Sequence, residues 1–281
     1  MLAVKPEHFL DQMKFLKEHF PVLKYDADWS GVREPSVVVT FDDGYADNYL
    51  EALPILQETG VAATFFITPE LIDSNQEFWW DELERVILGK WSYPDHFELK
   101  DKIYHRIWLT ATESERKTLY NELHPLMRSL APERRKVWLK QLRQWVKTDE
   151  AGRASHRLLK NQELQALAKS SFVTIGAHGM THTSLGGQPM DSQENEMKES
   201  REQLEAIINR PVISFSYPFG TKSDYTTDTM NLCKRLGFTK AAANYPGQAR
   251  RWTNRFEIPR QIVRDWPIDI FEKKISEFWT R

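Results

Sequence analysis

Two short stretches carry residue types that can do chemistry together. In Thr40-Phe41-Asp42-Asp43-Gly44-Tyr45, two adjacent carboxylates follow the β-branched run Ser36 to Phe41, which reads as a buried parallel strand. The carboxyl ends of such strands form the usual functional edge of an α/β fold. One carboxylate there can bind a metal ion while its neighbour accepts a proton from water on that ion. Gly44 lets the backbone turn directly after them. The second stretch, Ile175-Gly176-Ala177-His178-Gly179-Met180-Thr181-His182, also follows a predicted strand. His178 and His182 are four apart, so on a helical turn both imidazoles face one way and can converge on one ion. Two imidazoles and one carboxylate make a facial nitrogen, nitrogen, oxygen set with open positions, suited to catalytic Zn²⁺, Co²⁺, Mn²⁺ or Fe²⁺. Each stretch taken alone also has a plain structural reading, as a solvated or helix-capping Asp pair and as packed histidines.

The elements that must position these residues alternate along the chain. An amphipathic helix over 7–19 precedes the strand at 36–41; a helical segment closed by Gly60 leads to a second buried strand at 61–67. A helix from Asn161, read as its N-cap, leads to a strand at 172–175. Further strands are expected at 212–215, near Phe238 and from Ile258 to Val263, with helices between them and a last helix around Ile270, Ile275 and Phe278. This alternation predicts a parallel α/β barrel or an open doubly wound sheet. From Phe78 to Leu159 the pattern breaks. There, Phe97-Glu98-Leu99 and Lys102-Ile103-Tyr104 flank a predicted tight turn, and two helical stripes follow. The domain reading is therefore a barrel of residues 1–77 and 160–281 with an inserted, mostly helical subdomain at 78–159.

The 281 residues hold 38 basic and 40 acidic side chains, a net charge of -2, which removes the global electrostatic case for a nucleic-acid partner. One cysteine, Cys233, rules out an internal disulfide framework or a Cys-rich zinc module. No stretch reaches the ~18 apolar residues of a membrane span, so the expectation is a soluble, cytoplasmic protein without a transmembrane segment. Residues 112–147 carry nine Lys or Arg against four Glu. Such a face suits peripheral contact with anionic lipid or a lipid-linked saccharide, against the ordinary reading of a solvated helix surface.

The two chemical stretches resemble the first two motifs of the polysaccharide deacetylases, carbohydrate esterase family 4. The similarity continues through Ser216-Tyr217-Pro218-Phe219-Gly220, where that family carries its third motif. Phe78-Trp79-Trp80-Asp81-Glu82-Leu83-Glu84, Ile258-Pro259-Arg260 and Asp265-Trp266 look like a branch associated with bacterial cell-surface polysaccharide synthesis. The resemblance implies a distorted (β/α) barrel, with Asp43, His178 and His182 as ligands of a divalent metal ion, zinc first and cobalt or manganese as alternatives. Asp42 would be the general base. The implied reaction removes the acetyl group of an N-acetylated saccharide: the ion polarises the amide carbonyl and binds the attacking water, and Asp42 takes the proton. A backbone N–H near Phe219 would hold the oxyanion. The substrate-binding candidates are Tyr217, Pro218, Phe219 and Trp266. Trp79, Trp80, Trp252 and Tyr225 are weighed as further sugar contacts, although most Trp are expected in the core.

Two departures from the family pattern matter. Where the third motif usually has an Arg that positions the base, this chain has Ser216, and Arg260 is the candidate to reach the same carboxylate from another strand. The family's late general-acid His is missing, since no His follows His182. Asp265 is a candidate by position, but it would need burial to carry a proton at neutral pH; helix capping is the alternative. The departures leave two other functions open: hydrolysis of small non-sugar amides or cyclic ureides, and saccharide binding without turnover. The barrel's usual first strand is either missing or replaced by residues 22–25.

Overall fold

The computed structural model describes residues 3–279. Helix α1 (Pro6–His19) starts with Pro at its first position and buries Phe9, Gln12, Met13 and Leu16 on one side. Strand β1 (Val39–Phe41) ends at the two aspartates, and a single π-helical turn, Asn48–Ala52, leads into α2 (Leu53–Thr59) and then β2 (Ala63–Ile67). Next come α3 (Trp79–Leu88), β3 (His96–Lys100), β4 (His105–Leu109), α4 (Glu113–Ser129) and α5 (Pro132–Val146). The alternation resumes with α6 (Asn161–Lys169), β5 (Val173–Ala177), α7 (Met190–Ile208), β6 (Ser214–Ser216), α8 (Thr227–Arg235), β7 (Lys240–Ala242) and α9 (Ile268–Trp279). The chain divides into two compact units: one formed by the segments up to Ile72 and from Leu159, the other by Asp73–Leu158.

In the first unit, five parallel strands in the order β1-β2-β5-β6-β7 curl into a half-barrel flanked by helices. The registers Phe41↔Phe65, Ile67↔Ala177, Ala177↔Phe215 and Ser216↔Ala242 bring the carboxyl ends of β1, β2, β5, β6 and β7 to one edge. Side chains alternate between the two faces. Phe41 and Phe65 stack with centroids 4.6 Å apart beneath Phe9, while Thr40 and Asp42 turn to the barrel interior. Single parallel bridges, Val22↔Val37 and Ala242↔Ile258, extend the sheet at its two ends. Residues 22–25 thus contribute one bridge beside the segment leading to β1, and the strand expected from Ile258 to Val263 shrinks to Ile258. Pro259 has no N–H to continue the ladder, and the N–H of Arg260 goes instead to the carbonyl of Tyr245.

Other expectations shift by smaller amounts. Lys160 rather than Asn161 is the N-cap of α6. In the second unit the hairpin turn lies at 101–104, later than predicted, because Asp101 accepts the backbone N–H groups of Ile103 and Tyr104 and builds the turn around itself. Trp79 is buried in α3, so it serves packing rather than a sugar face.

Space in the half-barrel is closed at Gly176, where an added Cβ would lie 2.4 Å from the Phe66 ring. Gly176→Ala is expected to destabilise the protein by about 1–3 kcal/mol through overpacking. Denaturant midpoints would show this, with partial recovery in Gly176→Ala/Phe66→Leu; an unchanged midpoint in the single variant would contradict the packing.

Candidate active site

Immediately after β1 the chain makes a tight reversal. The Gly44 N–H donates to the carbonyl of Asp42 at 3.0 Å across Asp43, whose φ is +76°. A two-residue hydrogen bond around a residue with positive φ is the signature of the rare, strained form of γ-turn. The same arrangement recurs after β6, where the Gly220 N–H donates to the Pro218 carbonyl at 2.7 Å across Phe219, φ +60°. His182 also has a positive φ, +52°. Non-glycine residues held in this region gather where a structure positions chemistry.

The segment from His178 to His182 is a loop in the structure, not the helical turn that the four-residue spacing suggested. Gly179 (φ +75°) and His182 break the helical geometry, and the imidazoles converge through the loop with centroids 4.8 Å apart. An added Cβ at Gly179 would lie 3.1 Å from both Glu196 and Pro218, so conformation and space both require glycine. Glu196, on the inner face of α7, fixes the loop: one carboxylate oxygen accepts the N–H groups of Met180 and Thr181, and the other accepts the Thr181 hydroxyl. Burial pushes the Glu196 carboxyl up, and the Thr181 and Met180 donors pull it back. Sequence reasoning missed Glu196. Its signal was an acidic residue in helical register with Gln193, Met197, Ser200 and Leu204 on a buried stripe.

Ligand-type atoms of Asp43, His178 and His182 lie within 4.8 Å of one another. His182 Nε2 is 3.2 Å and His178 Nε2 3.5 Å from Asp43 Oδ1, and His178 Nε2 is 3.8 Å from Asp42 Oδ2. His178 Nδ1 is 2.8 Å from the Ser216 carbonyl. A carbonyl only accepts, so Nδ1 carries the proton, and in the neutral ring the Nε2 lone pair faces the carboxylates. Burial pushes the His178 pKa down against the attraction of Asp42 and Asp43. An electron-rich cluster of two imidazoles and a carboxylate, with one ring locked in the metal-binding tautomer by its other nitrogen, fits a divalent cation.

Asp42 is the neighbour of that cluster. Arg260 Nη1 and Nη2 donate to its two oxygens at 2.8 and 2.7 Å. The same guanidinium donates from Nε to the Ala243 carbonyl, from Nη1 to Thr40 Oγ1 and from Nη2 to Ser216 Oγ. These contacts occupy the five donors of an arginine. Ser216, standing where the family motif has Arg, thus leaves room for a guanidinium that arrives from residue 260 and accepts one of its hydrogen bonds. Burial pushes the Asp42 carboxyl up, but the Arg260 charge and hydrogen bonds, with His178 and His182, outweigh it and hold the pKa at about 2.

The remaining candidates separate. Phe219 packs edge-to-face on His182 with centroids 4.6 Å apart, and Pro218 lies against Gly179. Tyr217 is not at a sugar-facing rim: it is fully buried, stacks on Tyr225 and donates its hydroxyl to the Phe256 carbonyl. Tyr225 is buried as well, with its hydroxyl on Glu257. Trp266 packs against the core while its carbonyl accepts from Gln12. Asp265 accepts the Lys5 N–H and faces His8 Nδ1 at 2.7 Å. The Lys5 N–H and His8 lower its pKa, so it is held as a carboxylate and is not a proton donor.

Asp42 gives a pH signature. Its folded pKa lies below the ordinary value of about 3.9, so its stabilising contribution is complete above that value and is lost as pH falls towards about 2. In chelator-treated Arg260→Met protein, burial acts on Asp42 without the opposing guanidinium and the pKa rises. The variant is expected to lose this acid-limb contribution, of order 2 kcal/mol, in urea midpoints measured from acid to neutral pH. Parallel profiles for the two proteins would contradict the pairing.

The polysaccharide deacetylase family model matches residues 30–97 and 139–241, more than half of the chain. These segments include Asp42, Asp43, His178, His182 and Ser216 to Gly220, but not Arg260. YxkH of Bacillus subtilis (strain 168), whose name refers to the same family, is 20% identical over 230 residues, 82% of this chain and 52% of that protein. The chain therefore spans about half the length of that curated relative. The fold is shared with the Streptococcus pyogenes deacetylase PplD, solved in complex with acetate (TM-score 0.61, 18% identity, 99% of this chain and 88% of that chain). It is also shared with BC0361, a polysaccharide deacetylase from Bacillus cereus (0.60, 19%, 97% and 62%), and with IcaB from Ammonifex degensii (0.57, 13%, 98% and 89%). The half-barrel, its two aspartates and its histidine pair belong to a member of the polysaccharide deacetylase family.

Proposed function

We propose that this protein removes acetyl groups from an N-acetylated saccharide of a bacterial cell surface, with Asp43, His178 and His182 holding a divalent ion, zinc first. The observation that carries this reading is the pairing of Asp42 with Arg260 beside the three-ligand cluster. It leaves one acid committed to the ligand set and one oriented next to it. The ion, when bound, would polarise the amide carbonyl and acidify the water that attacks it.

Arg260 uses one lone-pair direction on each Asp42 oxygen, and a carboxylate offers about four, so Asp42 keeps acceptor capacity towards the site. At a pKa of about 2 it is ionised at any working pH. It is a weak base on its own, which makes acidification of the water necessary. Once it has taken the proton it is a strong acid. In this reading Asp42 therefore returns the same proton to the departing amine, which removes the need for the missing late His. The Pro218–Gly220 turn lies beside His182; Pro218 has no N–H and that of Gly220 is engaged by the Pro218 carbonyl, so in this reading the Phe219 N–H would hold the oxyanion.

The test is acetate release from a panel of N-acetylated saccharides by metal-loaded protein. Activity should be lost with a chelator, should fall about 10²–10⁴-fold in Asp42→Asn, and should survive in His8→Gln. Full activity in Asp42→Asn would contradict the base. A comparable loss in His8→Gln would move the acid role to the His8–Asp265 pair. Turnover confined to small non-sugar amides, or saccharide binding without acetate release by loaded protein, would overturn the substrate assignment.

A further inference from the structure

The second unit presents an apolar surface that its own fold does not require. In the β3–β4 hairpin, Phe97, Leu99 and Trp108 turn inward, and the opposite face should be polar in a sheet solvated on one side. Instead Ile107 and Leu109 stand on that outer face, 55% and 66% exposed. At the tip, where turn chemistry selects Gly, Asn or Asp, Ile103 is 81% exposed. Val137 of α5 adds to the same end of the unit, since its neighbours Arg134 and Trp138 both bond Asp101 inside the turn.

Charge decides what this surface suits. The hairpin's two carboxylates are engaged within the unit: Glu98 faces His105 at 2.9 Å, and Asp101 is held by Arg134, Trp138 and two backbone N–H groups. Lys100 and Lys102 flank the apolar tip, and no ion pair engages either among the described residues. By contrast, the basic residues of α4 and α5 that the sequence offered as a lipid-facing surface are largely absorbed. Arg134 is on Asp101, Arg143 on Glu82, Lys117 on Glu113, and Arg135 is buried against Trp79. The outward charge of the hairpin is positive and sits around exposed aliphatic side chains, an arrangement that buries apolar groups at a bilayer interface while its lysines meet anionic headgroups.

We propose that the β3–β4 hairpin docks on an anionic lipid bilayer, with Ile103 entering the headgroup layer, Ile107 and Leu109 lying against it, and Lys100 and Lys102 contacting the lipid charges. The inference uses nothing from the metal-type cluster and stands apart from the deacetylase reading.

The full chain is tested by co-sedimentation with phosphatidylcholine vesicles with and without phosphatidylglycerol. Binding is expected to the anionic vesicles only and to fall with added salt. Each lysine near such a surface is worth about 1 kcal/mol, so Lys100→Ala/Lys102→Ala should lower partitioning about 30-fold. Ile103→Asp should abolish it, with the parent's thermal transition retained. A readout independent of these variants is Ile103→Cys carrying an environment-sensitive fluorophore, selective because the native Cys233 is buried; its emission should shift to the blue on anionic vesicles. The proposal is overturned by absence of binding, by equal binding to both vesicle types, by an unmoved fluorophore, or by lipid-free self-association that Ile103→Asp removes. The last result would assign the surface to a second copy of the chain.

Discussion

A single guanidinium holds the candidate site in register. The sheet runs from β1 to β7, and the gap between its two ends is crossed by the Arg260 side chain, which contacts Thr40 and Asp42 on one side and Ala243 and Ser216 on the other. A buried cation is tolerated only when paired and fully hydrogen-bonded. Arg260 is 14% exposed, and although burial opposes its charge, Asp42 more than restores it. The geometry around it follows from that demand: a small hydroxyl residue at 216, a hydroxyl at 40, and a carboxylate turned inward at 42. Removing either member of this partly buried ion pair leaves the other uncompensated, which destabilises the fold.

The strained backbone around this centre is held by contacts from several directions. Asp43, His182 and Phe219 each adopt positive φ, at a cost of order 1–3 kcal/mol each. The Thr68 N–H donates to the Asp43 carbonyl and the Leu159 N–H to that of Gly44, which fixes the first turn from β2 and from the chain ahead of α6. Glu196 fixes the histidine loop. Asp224 accepts from Ser184 and Thr221 through its side chain, and from Leu185 and Gly186 through its backbone carbonyl, so it ties that loop to the segment after β6. Packing and hydrogen bonds therefore aim three side chains from two distant segments at one point. This is the preorganisation that electrostatic catalysis requires.

Much of this was legible in the residues. Buried strand runs ending in Asp-Asp-Gly and in a histidine pair located the functional edge, because parallel strands present their carboxyl ends together. The family resemblance singled out Asp42, Asp43, His178 and His182, which the fold brings together. What the sequence hid depends on tertiary placement. Nothing local distinguishes Glu196 from a surface glutamate except its register on α7. The place of Tyr217 next to a strand end suggests exposure, whereas its ring completes the core and its hydroxyl is satisfied at Phe256. The histidine spacing suggested a helical turn, but the glycine inside it permits a loop that reaches the same convergence. The sequence position of Asp265 does not reveal that His8 of α1 and the N–H of Lys5, just ahead of that helix, stand against it.

The central claim is that Asp43, His178 and His182 share one divalent ion while Arg260 keeps Asp42 out of the ligand set. Anomalous diffraction from crystals grown with Zn²⁺, collected on both sides of the zinc edge, tests it most directly. The account predicts one strong peak within about 2.0–2.2 Å of Asp43 and of Nε2 of both histidines, with the Asp42–Arg260 pair intact. No peak at this cluster, or an ion bound by Asp42 with Arg260 displaced, would contradict it.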